Sequence, residues 1–330
     1  MDTQIPVLVL FGPTASGKTG ILFELFNSAS DIKAEVISAD SMQVYKGMDI
    51  GTAKPSEKER SLLPHHLIDI RDPSQQFNAG DFVRLADEAC LQTASRGRLP
   101  VVSGGTGFYL KNFIMGLSEA PPSSEEIRTT LKKELLEKGA ASLMEELAAA
   151  DPVSAERIHI NDEYRLLRAI EVFRACGRPL SSFEAPSQQR FTTQNKNAIE
   201  REKFRFLILG LSRPREELYS RIYLRCAQML KQGLENEVRS LFEKGYTPND
   251  PGLRAIGYRE FFIKDPVNGS FHLTQDINGV QSLIAQNSRR YAKRQITFFA
   301  GIPGVKWIEP CCNDAETAKC IGKEIVNFCH

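Results

Sequence analysis

The feature that most constrains the fold is an eight-residue segment near the start of the chain. Residues 12–19 read Gly-Pro-Thr-Ala-Ser-Gly-Lys-Thr, directly after the apolar run 7–12 and directly before an amphipathic helical pattern. This spacing fits G-x-x-x-x-G-K-[ST] in full, and a preceding strand with a following helix is the context that the motif requires. The two glycines let the backbone curl so that successive N–H groups point inward at a helix N-terminus. The segment therefore predicts a phosphate-binding loop between a strand and a helix.

The side chains of this loop specify a polyphosphate ligand. Lys18 can neutralise terminal phosphate oxygens, and the hydroxyl of Thr19 can bind Mg²⁺ through the bound phosphates. The motif does not say which polyphosphate is bound. The predicted loop consists of Gly12, Pro13, Thr14, Ala15, Ser16, Gly17, Lys18 and Thr19.

Continuous apolar runs alternate with helical patterns along the chain. Runs without polar alternation are typical of parallel strands that are covered on both faces, and strand–helix alternation predicts a parallel sheet with right-handed crossovers. We therefore predict an α/β fold with a P-loop NTPase-like parallel sheet core. The predicted strands are residues 7–12, 35–40, 66–70, 100–104, 204–211 and 305–308.

A change of character between residues 118 and 199 predicts an insertion into this core. The segment opens on Pro-Pro-Ser-Ser at 121–124, contains charged helical stretches at 125–138, 140–150 and 162–176, and has no convincing strand. A polar loop at 186–196 leads back to the core. We expect an all-helical domain at 118–199, inside a catalytic core formed by residues 1–117 and 200–330.

Polar residues are expected at the carboxyl edge of the sheet, where doubly wound folds bind ligands. Asp40 ends the second predicted strand, where it can transfer a proton, bind a metal-held water or simply cap the following turn. The strand at 100–104 ends in Ser103-Gly104 and carries no carboxylate of the Walker-B type, which argues against ordinary ATP hydrolysis. A glycine turn with the hydroxyl of Thr106 follows.

Composition limits the class of protein without identifying it. The chain has 330 residues, 42 Lys and Arg against 41 Asp and Glu, and 25% charged residues, which is typical of a globular protein. No apolar run approaches the ~20 residues that cross a bilayer, and seven cysteines without a C-x₂-C pair favour a reduced, cytoplasmic protein with no zinc site. The near-zero net charge conceals a basic third, because residues 201–300 hold 17 basic and 10 acidic side chains.

A series of sequence blocks resembles one enzyme family. The longest block, residues 38–55, reads Ser-Ala-Asp-Ser-Met-Gln-Val-Tyr-Lys-Gly-Met-Asp-Ile-Gly-Thr-Ala-Lys-Pro, and it is similar to the signature of the tRNA dimethylallyltransferases. These enzymes modify adenosine 37 beside the anticodon. The supporting blocks, in order, are 64–69, 79–82, 104–110, 162–169, 254–259 and 291–297.

The resemblance implies a specific reaction. Dimethylallyl diphosphate would be the donor, the adenine N6 would attack its C1 carbon, and diphosphate would leave with the help of Mg²⁺. By family match, Asp40 is the base, Thr106 and Arg225 are further catalytic residues, and Arg221 is a second diphosphate ligand. The same match assigns Asp40, Ser41, Met42, Gln43 and Thr106 to the extruded adenosine.

The resemblance also implies a tRNA surface, whose arginines can pair with phosphate and whose tyrosines can stack on splayed bases. A monomer that contacts no membrane is expected. The implied residues are Arg128, Tyr164, Arg165, Leu166, Leu167, Arg168, Arg254, Ala255, Ile256, Gly257, Tyr258 and Arg259.

Three alternatives remain open at this stage. An adenylate isopentenyltransferase shares the loop and the base but acts on a free nucleotide, so it does not need the helical insertion or the 254–259 block. A P-loop small-molecule kinase needs a metal-binding carboxylate that is not found at the end of a core strand. A non-catalytic RNA-binding protein does not need Asp40 beside Lys18 and Thr19.

Overall fold

A computed structural model describes residues 4–27, 30–183, 198–201 and 203–329. The chain forms two compact units, one built from Met1–Ile114 with Thr192–His330 and the other from Met115–Phe191. The predicted polar loop at 186–196 lies outside the described residues.

The first unit is built on one seven-stranded sheet, which confirms the predicted α/β class with a parallel core. Its order is β3-β2-β4-β1-β6, and the far edge of β6 pairs with β9 in parallel and with β5 in antiparallel orientation. The strands are β1 Ile5–Phe11, β2 Ala34–Ser38, β3 His65–His66, β4 Leu99–Gly104, β5 Ala198–Arg201, β6 Phe204–Leu211 and β9 Lys306–Ile308, and β7 Phe262–Lys264 and β8 Phe271–Leu273 form a separate hairpin.

Helices cover both faces of this sheet. The helices of the first unit are α1 Lys18–Leu25, α2 Glu57–Leu62, α3 Ala79–Ser95, α4 Gly107–Met115, α8 Arg215–Lys231, α9 Leu234–Glu243, α10 Ile277–Phe299 and α11 Asp314–Cys329. On one face, Leu209 of β6 packs in a cluster with Ile21 of α1 and Ile321 of α11. On the other face, Phe206 of the same strand packs against Phe113 of α4. Both sides of β6 are therefore apolar, which explains its uninterrupted hydrophobic sequence.

Two predicted features of the sheet differ from the structure. The predicted strand at 66–70 ends after His66, because Leu67 and Asp69 have φ angles of 62° and 57° and a strand cannot continue through left-handed residues. Strand β5 and the β7–β8 hairpin were not predicted, since four- and three-residue strands give little periodic signal.

The second unit is helical in its described part. It contains α5 Glu125–Ala150, α6 Pro152–Arg157 and α7 Glu163–Cys176, and α5 is kinked at Gly139, where φ is 78°. Leu131 and Leu143, on either side of the kink, pack with Leu166 and Ile170 of α7 in one core. None of the helices that the structure describes, in either unit, is long and apolar enough to cross a membrane.

Candidate active site

The phosphate loop joins β1 to α1 and has the backbone of an anion-binding turn. Gly17 adopts φ = 98°, a conformation that favours glycine, and α1 begins at the next residue. Within the described part of the chain, the N–H groups of Gly17, Lys18 and Thr19 have no protein acceptor, so they remain available to a ligand. The N–H groups of Thr14 and Ser16 donate within the protein, so these two are not among the loop donors available to a ligand.

Lys18 is folded back onto its own loop. Its ammonium donates to the carbonyls of Gly12 at 2.8 Å and Pro13 at 3.0 Å. Burial lowers the pKa of Lys18, the nearby Arg225 lowers it further, and Asp40 partly offsets both, which leaves a pKa of about 8. A dianionic or trianionic ligand in the loop would favour the protonated form.

Two arginines of α8 reach the same loop. Arg221 donates from Nε to the carbonyl of Ala15 at 2.8 Å, and Arg225 donates to the Thr14 hydroxyl at 3.2 Å. Their i, i+4 spacing places both on one helix face. Burial lowers the pKa of Arg225 while the charge of Asp40 raises it, although a guanidinium stays protonated at any physiological pH.

A third arginine was missed by the sequence analysis. Arg213 lies two residues after the end of β6 and donates from Nε to the carbonyl of Ser16 at 2.8 Å, while Nη1 pairs with Glu217. Its position just after a core strand, at the carboxyl edge of the sheet, is the signal that could have found it.

Asp40 both caps a turn and faces the cavity. Its Oδ1 accepts the N–H groups of Met42 at 2.8 Å and Gln43 at 3.3 Å. Its Oδ2 has no protein donor among the described residues, and the side chain lines the cavity beside the loop. One carboxylate therefore fixes the turn with one oxygen and leaves the other for a proton.

Thr106 lies next to this turn, at the start of α4. Its hydroxyl oxygen accepts the N–H of Ser41 at 2.9 Å and its hydroxyl lies 3.3 Å from that of Ser41, while its own N–H donates to Ala39. The amide of Gln43 is also held, since it accepts from Ser38 at 2.9 Å. Strands β2 and β4 are neighbours in the sheet, which is why these residues meet.

A cavity of about 530 Å³ connects the phosphate loop with the turn that follows β2. Tyr291 and Gln295 of α10 and Asp314 of α11 complete its wall, and none of these three was among the predicted site residues. Burial raises the pKa of Tyr291 to about 12, with a contribution from the charge of Asp40. The predicted residues that line the cavity are Thr14, Ala15, Ser16, Gly17, Lys18, Thr19, Asp40, Gln43, Arg221 and Arg225.

The 254–259 segment divides into exposed and buried positions. Arg254 and Arg259 are exposed, and Arg254 donates to the carbonyl of Asn249 at 2.7 Å. Tyr258 is completely buried, and its hydroxyl donates to Glu237 at 2.6 Å. Tyr258 therefore offers no face for a base in this structure, and the sequence-based expectation that it stacks on RNA is corrected. Its close neighbours Ala255 and Gly257 are buried, and Ile256 is half-buried.

In the helical unit, the predicted RNA residues again divide by burial. Leu166 and Leu167 belong to the helical core, so their side chains are not available to RNA. Tyr164 is 69% exposed, and the Arg128 guanidinium lies 5.2 Å from its ring centre. Arg165 is exposed and pairs with the N-cap carboxylate of α7.

Arg128 shares a buried carboxylate with Arg168. Glu171 is 1% exposed and lies 3.4 Å from Arg128 and 3.0 Å from Arg168. Burial alone would raise the pKa of Glu171, but hydrogen bonds from Ser123, Arg168 and the N–H of Ser124 hold it below its usual range. Both arginines are therefore oriented by the helical unit itself.

No group of three or more His, Cys, Asp or Glu side chains is placed to hold a metal ion anywhere in the part of the chain that the structure describes. The cysteines, including Cys311, Cys312, Cys320 and Cys329, are free thiols.

Comparison with known proteins identifies close relatives. The tRNA dimethylallyltransferase 2 of Geotalea daltonii is 42% identical over 308 residues, which cover 93% of this chain and 89% of that protein. The tRNA dimethylallyltransferase of Geobacter sulfurreducens is 41% identical over 307 residues, with 93% of each chain covered.

Solved structures show the same similarity. The tRNA isopentenylpyrophosphate transferase of Bacillus halodurans matches with a TM-score of 0.66 at 33% identity, covering 99% of this chain and 97% of that one. A eukaryotic dimethylallyltransferase, captured acting on tRNA, matches with a TM-score of 0.75 at 26% identity, covering 98% of this chain and 80% of that one. A family model described as IPP transferase matches residues 43–301. The chain belongs to the IPP transferase family.

Proposed function

We propose that this protein transfers a dimethylallyl group from dimethylallyl diphosphate to N6 of adenosine 37 in the anticodon loop of tRNA. The relatives are named tRNA dimethylallyltransferases, which supports the transfer of a dimethylallyl group to tRNA. The observation that supports it most directly is that an anion-binding loop and a carboxylate with a free oxygen line one cavity. All of these groups come from one chain, so a monomer suffices for the reaction.

The donor half of the reaction uses the phosphate loop. The free N–H groups of Gly17–Thr19, Lys18 and the guanidinium groups of Arg221 and Arg225 would hold the diphosphate. The C1–O bond breaks and its electron pair leaves on the diphosphate, so positive groups at this end stabilise the transition state. A kinase is disfavoured, because β4 ends in Ser103-Gly104 without a metal-binding carboxylate.

The acceptor half uses the turn after β2. The N6–C1 bond forms while Asp40 accepts a proton from the amine through Oδ2, the oxygen that the turn leaves free. Gln43, held by Ser38, lines the cavity and offers a fixed polar group for the edge of the adenine, while Thr106 steadies the same turn through the N–H of Ser41. A base extruded from a loop is already unpaired, which lowers the cost of reaching this cavity.

Mg²⁺ fits the residues present. It prefers oxygen ligands, and the hydroxyl of Thr19 and the carboxylate of Asp314 line the cavity beside the free N–H groups of the loop. When bound, the ion would neutralise charge on the departing diphosphate. Thr19 would hold it together with oxygens of the ligand itself.

One parallel incubation tests this proposal. The protein is given dimethylallyl diphosphate and Mg²⁺ with either an unmodified anticodon stem-loop or AMP, and products are measured by mass spectrometry. We expect the prenyl mass on the stem-loop alone, and none when EDTA is present. Prenylation of AMP and not of RNA would instead identify an adenylate isopentenyltransferase, and no product with either acceptor would contradict prenyl transfer.

A further inference from the structure

A buried amide connects the two halves of the cavity. Gln295 of α10 is 4% exposed, its Oε1 accepts the N–H of Thr14 at 2.9 Å, and its Nε2 donates to the carbonyl of Gly105 at 2.7 Å. Thr14 and Gly105 lie far apart in sequence, in two different loops at the carboxyl edge of the sheet. One side chain thus spans the gap between these loops with two hydrogen bonds of ordinary length.

Each end of this bridge is connected to a group of the proposed reaction. The hydroxyl of Thr14 accepts from Arg225, which belongs to the donor side. Gly105 precedes Thr106, whose hydroxyl oxygen accepts the N–H of Ser41, next to the proposed base. The amide therefore links the donor loop to the acceptor turn, through Gly105 and Thr106, beyond the point where the pairing of β1 with β4 ends at Phe11 and Gly104.

The sequence of the glycine turn after β4 fits the bridge. A Cβ atom added to Gly105 would lie 2.6 Å from Nε2 of Gln295, which is closer than real Cβ atoms approach. A side chain at position 105 would therefore displace the amide from the carbonyl to which it donates. Buried amides of this kind are costly unless both ends are satisfied, and here both are.

We propose that Gln295 is a positioning residue that holds the donor loop and the acceptor turn in register for transfer; this rests on the proposed function. In-line displacement requires C1 of the donor and N6 of the adenine to be aligned, and a 1 Å misplacement can cost about 10²-fold in rate. Because its oxygen and its nitrogen are both engaged within the protein, Gln295 is not among the groups proposed to hold the diphosphate or the RNA. Its loss should therefore lower kcat much more than it raises either KM.

Kinetics of matched variants test the proposal. Gln295→Met keeps the length but removes both hydrogen bonds, Gln295→Glu keeps the acceptor for Thr14 but removes the donor, and Gln286→Glu adds the same charge at an exposed site of α10. We expect kcat to fall about 10²-fold in Gln295→Met and at least tenfold in Gln295→Glu, with each KM within about threefold of wild type. Gln286→Glu should keep the wild-type kcat, and any effect of its charge, one turn from Arg290, should fall on the KM for RNA. An unchanged kcat in both Gln295 variants, or a loss confined to KM, overturns the proposal.

Hydrogen exchange separates this result from a failure of the proposed function. In Gln295→Met, we expect faster amide exchange in peptides that contain Thr14 and in peptides that contain Ser41, although Ser41 does not contact Gln295. Gln286→Glu should change neither. Protection that stays at wild-type levels at both loops overturns the bridge, whether or not the wild-type protein transfers a prenyl group.

Discussion

At the residue scale, Asp40 shows how one side chain can serve structure and chemistry together. The turn that it caps through Oδ1 places Gln43 in the wall of the cavity, and the free Oδ2 is the proposed proton acceptor. An asparagine can keep the first role because its carbonyl oxygen also accepts N–H groups. It cannot take up a proton, so the two roles can be separated by experiment.

We predict that Asp40→Asn lowers the rate of prenyl transfer by about 10²–10⁴-fold, the usual contribution of a general base. Binding of diphosphate and of the anticodon stem-loop should stay within a few-fold of wild type. Single-turnover assays at saturating substrates measure the effect.

A matched control exists on the β7–β8 hairpin. Asp265 accepts the N–H groups of Val267 at 2.8 Å and Asn268 at 3.3 Å, which reproduces the Asp40 turn outside the cavity. Asp265→Asn should leave the transfer rate unchanged. Near wild-type turnover in Asp40→Asn would remove Asp40 as the base.

Lys18 gives a prediction about pH. Its pKa of about 8 in the free protein means that the ammonium is lost as the pH rises through this value. Diphosphate binds the protonated form, so binding must take up a proton above that pH. We predict that the dissociation constant of inorganic diphosphate rises between pH 8 and pH 9.5, as measured by calorimetry, more steeply than in Lys18→Arg, which keeps its charge. If the dissociation constant depended equally on pH in the wild type and in Lys18→Arg, deprotonation of Lys18 would not be the cause.

At the element scale, α9 fixes the loop that follows the acceptor turn. The carboxylate of Glu237 accepts the N–H groups of Asp49 at 3.0 Å, Ile50 at 2.8 Å and Gly51 at 3.2 Å, in addition to the hydroxyl of Tyr258. A Cβ atom on Gly51 would lie only 2.4 Å from a ring atom of Tyr258, so the ring packs directly against the glycine. The 254–259 segment therefore helps to hold the loop at 49–51, through Tyr258 and Glu237, and it also presents two exposed arginines.

We predict that Tyr258→Phe lowers the free energy of unfolding by about 1.5–3 kcal/mol, because the hydrogen bond from a buried hydroxyl to the charged carboxylate of Glu237 is lost while the ring remains. Urea denaturation measures this. Tyr246 provides the comparison, since its hydroxyl binds Asp72 at the same 2.6 Å but at a partly exposed position. Tyr246→Phe should cost less than Tyr258→Phe, and the opposite order would contradict the role assigned to burial.

These elements also mark how far sequence can predict the structure. The phosphate loop and the long helices were predictable, because their signals are glycine spacing and local periodicity. The burial of Tyr258 depends on Gly51, and the bridge by Gln295 depends on Thr14, so each arises from contacts between segments about 200 residues or more apart. No local pattern encodes such contacts. In the sequence, a tyrosine beside arginines looks the same whether its ring is buried, like that of Tyr258, or exposed, like that of Tyr164.

At the scale of the whole molecule, charge is distributed unevenly. Residues 1–200 hold 22 basic and 27 acidic side chains, whereas residues 201–300 hold 17 basic and 10 acidic ones. The basic third contains the exposed arginines of the 254–259 segment and the α10 residues Arg290, Lys293 and Arg294. A partner with a phosphate backbone would be attracted to this part of the chain, and its binding would weaken with salt.

We predict that Arg254→Ala weakens binding of the anticodon stem-loop and makes the slope of log K against log[salt] shallower by about 0.7–0.9, the share of one phosphate contact. Fluorescence anisotropy over a salt series measures the slope. Lys319→Ala removes the same charge from the exposed surface of α11, outside the basic third, and should leave the slope unchanged. Because Arg254 also donates to the carbonyl of Asn249, a loss of affinity alone would be ambiguous. The slope resolves this: an unchanged slope means that Arg254 shapes its loop without neutralising a phosphate.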